Sequence, residues 1–299
     1  MANPSGLFDF WAKLVKLKAK LGRRWPLPFK DNPIGIFDSG VGGLSVWREV
    51  ARLLPCEDIV YFADSAHLPY GERSLEEVRA FSEGITEFLI GEGAKVVVVA
   101  CNTASAAALY SLRERFPIPI VGMEPAVKPA VSLTKSGRIG VIATKATFQG
   151  LLFQRLVERF GQGVEIYTKA CPGLVEMVEE GLLNGKEAEE RVKAHLEPLL
   201  EKGIDVLVLG CTHYPFLRES LEKVVGPGVS IIDPSEAVAR QVKRVLESNG
   251  LLREERGKGR YSFFTSGEPE RFRGILRLLT GLEGPVFGVR WEGGKVSKL

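Results

Sequence analysis

The 299-residue chain is poor in the residues that build metal centres and disulfide frameworks, with 4 cysteines, no Cys-x-x-Cys pair and 3 histidines. No zinc or other metal site is therefore expected, and nothing suggests secretion, so neither is a disulfide scaffold. Long apolar runs are missing too. Val96–Cys101, the longest, and shorter runs such as Val206–Leu209 fall far short of the ~20 residues a membrane-spanning helix needs. Lysines interrupt the apolar residues near the N-terminus, so no secretory signal is expected and the reading is cytoplasmic.

What is present reads as an ordinary globular protein, at 45% hydrophobic and 26% charged residues. The length admits one large domain or two of ordinary size. The net charge of +3 is unevenly spread. Residues 1–30 hold seven basic side chains and one acid, leaving 33 basic and 36 acidic groups elsewhere. The body is thus slightly acidic, and nucleic acid is not expected as its partner. In the arm, Leu7, Phe10, Trp11, Leu14, Leu17 and Leu21 recur at helical spacing with lysines between them. Residues 1–33 read as a basic amphipathic extension and linker. Packing on the body, contact with a partner or an anionic membrane surface, and a targeting role all stay open for it.

From Ile34 the pattern becomes short apolar strands alternating with amphipathic helices. Strands are expected at Ile34–Phe37, Ile59–Phe62, Val96–Ala100, Ile118–Val121, Arg138–Ala143, Val164–Thr168, Asp205–Leu209, Ser230–Ile232 and Tyr261–Thr265. Runs apolar on both faces, such as Val96–Val99, suit a sheet covered by helices on both sides. The alternation implies an α/β architecture with mainly parallel sheets. A Gly- and Pro-rich stretch near Pro117–Pro129 suggests a crossing between two lobes.

Two patterns carry chemistry. In Asp38-Ser39-Gly40-Val41-Gly42-Gly43-Leu44-Ser45 a strand ends in an acid, then glycines lead into a helix. Glycines allow close backbone approach, and a helix start favours an anion. The loop lacks the Gly-Lys-Ser/Thr ending of a P-loop, and Ser45 replaces the last glycine of the dinucleotide fingerprint. A carboxylate ligand suits it as well as a phosphate. Asp38 reads either as a turn or cap residue or as a group that handles an ammonium or a base. The second pattern is repeated. Cys101 follows a buried strand and precedes Asn102-Thr103, while Cys211 follows another and precedes Thr212-His213. Ligands of open α/β sheets bind at such strand ends. A single cysteine there is usually a small buried hydrophobe, but two in matching context suggest an acid/base on each face of a carbon. Asp38 would serve one thiol and His213 the other, while Cys56 and Cys171 read as structural. His67 reads as structural and His195 as exposed.

The Asp38–Gly43 loop, Leu68-Pro69-Tyr70-Gly71-Glu72-Arg73-Ser74, Ala100-Cys101-Asn102-Thr103-Ala104-Ser105 and Gly210-Cys211-Thr212-His213-Tyr214-Pro215 together resemble the glutamate racemases. The resemblance runs from Ile34 to the Phe263–Gly267 segment. It implies cofactor-independent interconversion of L- and D-glutamate, supplying D-glutamate for peptidoglycan. It also implies two pseudo-symmetric α/β lobes with the active site in the cleft between them. Lobe 1 would be residues 34–122, lobe 2 an insertion of 123–235, and 236–299 the return to lobe 1. By the resemblance Cys101 acts on the Cα proton of D-glutamate and Cys211 on that of L-glutamate. Asp38 assists the first, and Glu179 with His213 the second, Glu176 and Glu180 being rivals of Glu179. Substrate contacts are implied at Asp38, Ser39, Tyr70, Gly71, Asn102, Thr103, Thr144, Thr147, Thr212 and His213. Gly150 and Phe153 stand where the family usually has a Ser and a Tyr. A homodimer is compatible with this reading. An aspartate racemase-like isomerase, or a regulatory protein binding through the basic arm, are the alternatives.

Overall fold

The computed structural model describes residues 28–254 and 257–299. The expected basic helix and nearly all of the arm lie outside the described residues. In chain order the strands are β1 (Ile34–Asp38), β2 (Ile59–Ala63), β3 (Val96–Val99), β4 (Ile120–Val121), β5 (Arg138–Ala143) and β6 (Glu165–Ala170). They continue as β7 (Val206–Gly210), β8 (Ser230–Ile232), β9 (Tyr261–Thr265), β10 (Val286–Glu292) and β11 (Lys295–Lys298).

The strands form two sheets, ordered β11-β10-β9-β2-β1-β3-β4 and β6-β5-β7-β8. The order 2-1-3-4 in the first recurs as 6-5-7-8 in the second, all parallel. One half of the fold thus repeats the other. Central strands β3 and β7 are buried along their whole length, as doubly covered strands should be. Edge strand β6 is half-exposed and accordingly mixes Glu165, Tyr167 and Lys169 with apolar residues.

Register brings the equivalent strand ends together. Phe37 pairs with Val99, so Asp38 lies beside Ala100 and next to Cys101. In the second sheet Ala143 pairs with Gly210, which sets Thr144 level with Cys211. Each thiol thus leaves the carboxyl end of a central strand, and the two ends face one another.

Two expectations need correction. The C-terminal strands β10 and β11 were not anticipated, because burial along β10 is mixed and no unbroken apolar run marks it. Their signal is the Gly293-Gly294 turn, where both glycines take positive φ in an antiparallel hairpin. His195 is half-buried rather than exposed, and its Nε2 lies 3.0 Å from the Pro172 carbonyl oxygen.

Candidate active site

A narrow cavity between the two sheets is lined by Ser39, Tyr70, Gly71, Cys101, Asn102, Thr103, Thr144, Cys211, Thr212 and His213. Asp38, Thr147 and Glu179 stand behind this lining and reach it through hydrogen bonds. A larger open hollow at Tyr110, Arg155 and Phe160 holds neither thiol. Among the described residues no three His, Cys, Asp or Glu side chains converge as a metal site.

Cys101 caps the helix Asn102–Arg115, its Sγ accepting the Ala104 N–H at 3.5 Å. It is 5% exposed. Burial, and then the nearby Asp38 carboxylate, push its thiol well above the ordinary value. Asp38 is fully buried, and burial raises its pKa against the opposing effects of His213, Cys101 and the Gly43 N–H. Its Oδ2 accepts the Gly43 N–H at 2.8 Å and the Thr212 hydroxyl at 3.5 Å. Asp38 thus fastens the turn before the following helix, at the strand end next to Cys101.

The Cys211 side is built differently. Its Sγ lies 3.7 Å from His213 Nδ1, and His213 Nε2 lies 2.8 Å from Glu179 Oε1. Burial alone would lower the imidazole, but its hydrogen bonds to Cys211 and Glu179 outweigh that and raise its pKa well above the ordinary value. Of the three neighbouring acids, Glu179 is the one that reaches His213. Glu176 keeps one buried carboxylate oxygen without a partner.

Glu179 Oε1 also accepts the backbone N–H of Val41 at 2.8 Å, across from the other sheet. The glycine loop has a structural role here that the sequence reading did not assign. A Cβ on Gly40 would collide with the Glu179 carboxylate, and one on Gly42 with the His213 ring. Ser45 extends the same junction, its hydroxyl donating to the carbonyls of Gly42 at 2.8 Å and Thr212 at 3.0 Å.

Hydroxyls close another side of the cavity. Thr103 Oγ1 lies 2.8 Å from Thr144 Oγ1 and 3.2 Å from Thr147 Oγ1, joining the two halves. Thr144 caps the helix Lys145–Gln149. Phe153 packs in the core against Phe148, and Gly150 precedes its helix, so neither lines the cavity. Both amide atoms of Asn102 are buried and unpartnered, which suits them to a polar ligand. Cys171 is buried with its thiol pushed up to about 12 by burial, and neither it nor Cys56 lines the cavity. Sequence reasoning missed Asp64, whose carboxylate holds the Tyr70 hydroxyl at 2.6 Å.

The profile of the Asp/Glu/Hydantoin racemase family matches residues 34–242. A glutamate racemase of Herpetosiphon aurantiacus is 50% identical over 250 residues, spanning 84% of this chain and 98% of that protein. A solved glutamate racemase isoform from Bacillus anthracis is 37% identical, with TM-score 0.81, covering 89% of this chain and 99% of that one. A Francisella tularensis glutamate racemase in complex with D-glutamate is 33% identical, with TM-score 0.77, covering 88% and 98%.

Proposed function

The chain belongs to the Asp/Glu/hydantoin racemase family, and we propose that it interconverts L- and D-glutamate through Cys101 and Cys211, without a cofactor. One observation carries this reading: two buried thiols leave equivalent strand ends on opposite sides of one cavity, each beside its own acid–base group.

In the L-to-D direction Cys211, its proton drawn off by His213, removes the Cα proton. Cys101 then delivers its own proton to the opposite face of the carbanion. The raised Cys101 pKa suits it to arrive protonated. In the reverse direction the thiols exchange roles, Asp38 taking up the Cys101 proton. Charge developing on the α-carboxylate is met by donors fixed beforehand, including the Asn102 amide and the hydroxyls of Thr103, Thr144 and Thr212. Burial of the site strengthens each of these interactions.

The proposal takes residues 34–122 and 236–299 as one lobe and 123–235 as the other. It extends to a cytoplasmic enzyme supplying D-glutamate for peptidoglycan, with a homodimer as its assembly. Among the described residues no helix is long and apolar enough to cross a membrane. Residues 1–30 are assigned to a partner or an anionic surface. Deleting residues 1–27, which spares the Lys30 carbonyl that Lys95 donates to, should leave racemisation intact and abolish liposome or partner binding.

The deciding assay is racemisation across a panel of amino acids. Glutamate should turn over fastest. Equal or greater turnover of aspartate overturns the substrate assignment, and no turnover of any amino acid overturns the reaction.

A further inference from the structure

Behind the cavity lies a buried carboxylate that the mechanism does not use. Asp64 follows β2 and is completely buried. Its two oxygens serve four partners. Oδ2 accepts the Tyr70 hydroxyl at 2.6 Å and faces His67 Nδ1 at 2.9 Å. Oδ1 accepts the Ser266 hydroxyl at 2.7 Å and the Trp291 indole N–H at 2.8 Å. These partners come from separate parts of the chain: the 3-10 segment Ser65–His67, the turn Tyr70–Glu72, the loop after β9, and strand β10.

The arrangement is braced on its outer side. The His67 ring stacks on Phe81 with centroids 3.8 Å apart, and Trp291 packs edge-on against both. Gly84 leaves the room for Trp291, since a Cβ there would come within 2.7 Å of the indole ring. On its inner side the network ends at Tyr70 and Gly71, which line the cavity. A Cβ on Gly71 would lie 2.7 Å from Thr144 Cβ, so this turn meets the opposite half of the molecule directly. The Tyr70 hydroxyl is engaged by Asp64, leaving the ring and the turn's backbone to face the cavity.

We propose that Asp64 is a positioning residue for the substrate-facing turn Tyr70–Gly71, anchored remotely by Trp291 of the C-terminal hairpin. The physical reason is that a short turn between a 3-10 segment and a helix has no strand ladder to hold it. A fully desolvated carboxylate that accepts several hydrogen bonds gives it one fixed orientation, because any displacement leaves buried polar groups unsatisfied. The hairpin β10–β11, though far from the thiols in sequence and sheet order, thereby sets the shape of the substrate contact surface. This inference rests on the racemase reading and assigns a role within the same site.

Trp291→Phe keeps an aromatic ring against His67 and Phe81 while removing one hydrogen bond to Asp64. Asp64→Asn keeps the shape while removing an acceptor. Both should raise KM for L- and D-glutamate by roughly fivefold to tenfold with kcat changed less than twofold, the pattern of lost uniform binding. A role in folding alone would lower the urea midpoint and leave KM unchanged, and that result overturns the proposal. If Trp291→Phe fails to fold, Ser266→Ala removes a different bond to the same oxygen and should give the same KM increase. The wild-type assay separates the two claims: an inactive wild type defeats the racemase reading, whereas an active wild type with unaltered KM in the variants defeats only this one.

Discussion

Glu179 Oε1 accepts the backbone N–H of Val41 at 2.8 Å, across 138 residues of chain. The same oxygen lies 2.8 Å from His213 Nε2. One carboxylate therefore orients the imidazole beside Cys211 and ties the glycine loop of the other half against it. The site exists only when both halves are in contact.

Gly40→Ala puts a methyl group where the Glu179 carboxylate sits. Because a misplacement of about 1 Å can cost on the order of 10²-fold, kcat should fall by that order while the protein stays folded. Steady-state kinetics with circular dichroism check this. Unchanged kcat would show that Glu179 does not orient His213 for catalysis.

Cys101→Ser and Cys211→Ser should each reduce racemisation in both directions by about 10²–10⁴-fold, the usual worth of a positioned acid or base. Cys56→Ser and Cys171→Ser should retain most turnover. In deuterated water the newly formed enantiomer should carry deuterium at Cα, detected by mass spectrometry. Unlabelled product rules out proton delivery from a solvent-exchanged thiol.

His213 has a raised folded-state pKa. Its contribution to stability is fully present below the unfolded value, about 6.5, and is lost as pH rises through the folded value. The difference in urea midpoint between wild type and His213→Asn should therefore shrink as pH is raised from 6 to 10. A constant difference would mean that the imidazole is not held in its charged form.

Lys95 is fully buried, with Nζ 2.5 Å from Glu57 Oε2 and 2.5 Å from the Lys30 carbonyl oxygen. Lys95→Met strands the Glu57 charge and should cost about 3–5 kcal/mol of stability. A second change, Glu57→Gln, should recover part of that loss in urea unfolding. No recovery would mean that the ion pair itself is not the source of the cost.

Much was readable from local pattern. The runs at Val96 and Val206 are apolar on every position, so they had to be central strands, and a thiol after each had to sit at a strand end. The Asp38 loop is also set by near neighbours, because turns and helix starts depend on residues a few positions away. The hairpin at Val286–Lys298 was less legible, since its alternation is weak and its position is decided by pairing with β9.

The sequence by itself supplied two thiols in repeated context, a histidine two residues after one of them and a glycine loop that opens on an acid, while the pairing of β1 with β3 set that acid next to the other thiol. Tertiary structure alone decided which acid reaches His213, because Glu176, Glu179 and Glu180 are equivalent as residue types and differ only in direction. It also gave the glycines a purpose not visible locally, to admit Glu179 and His213 from the other half. And it gathered Tyr70, Ser266 and Trp291 around Asp64. The reason is the same in each case. Short-range order follows from propensity and spacing, whereas contacts between distant segments are selected by burial and by the need to satisfy every buried polar group, and these are set only when the whole fold closes.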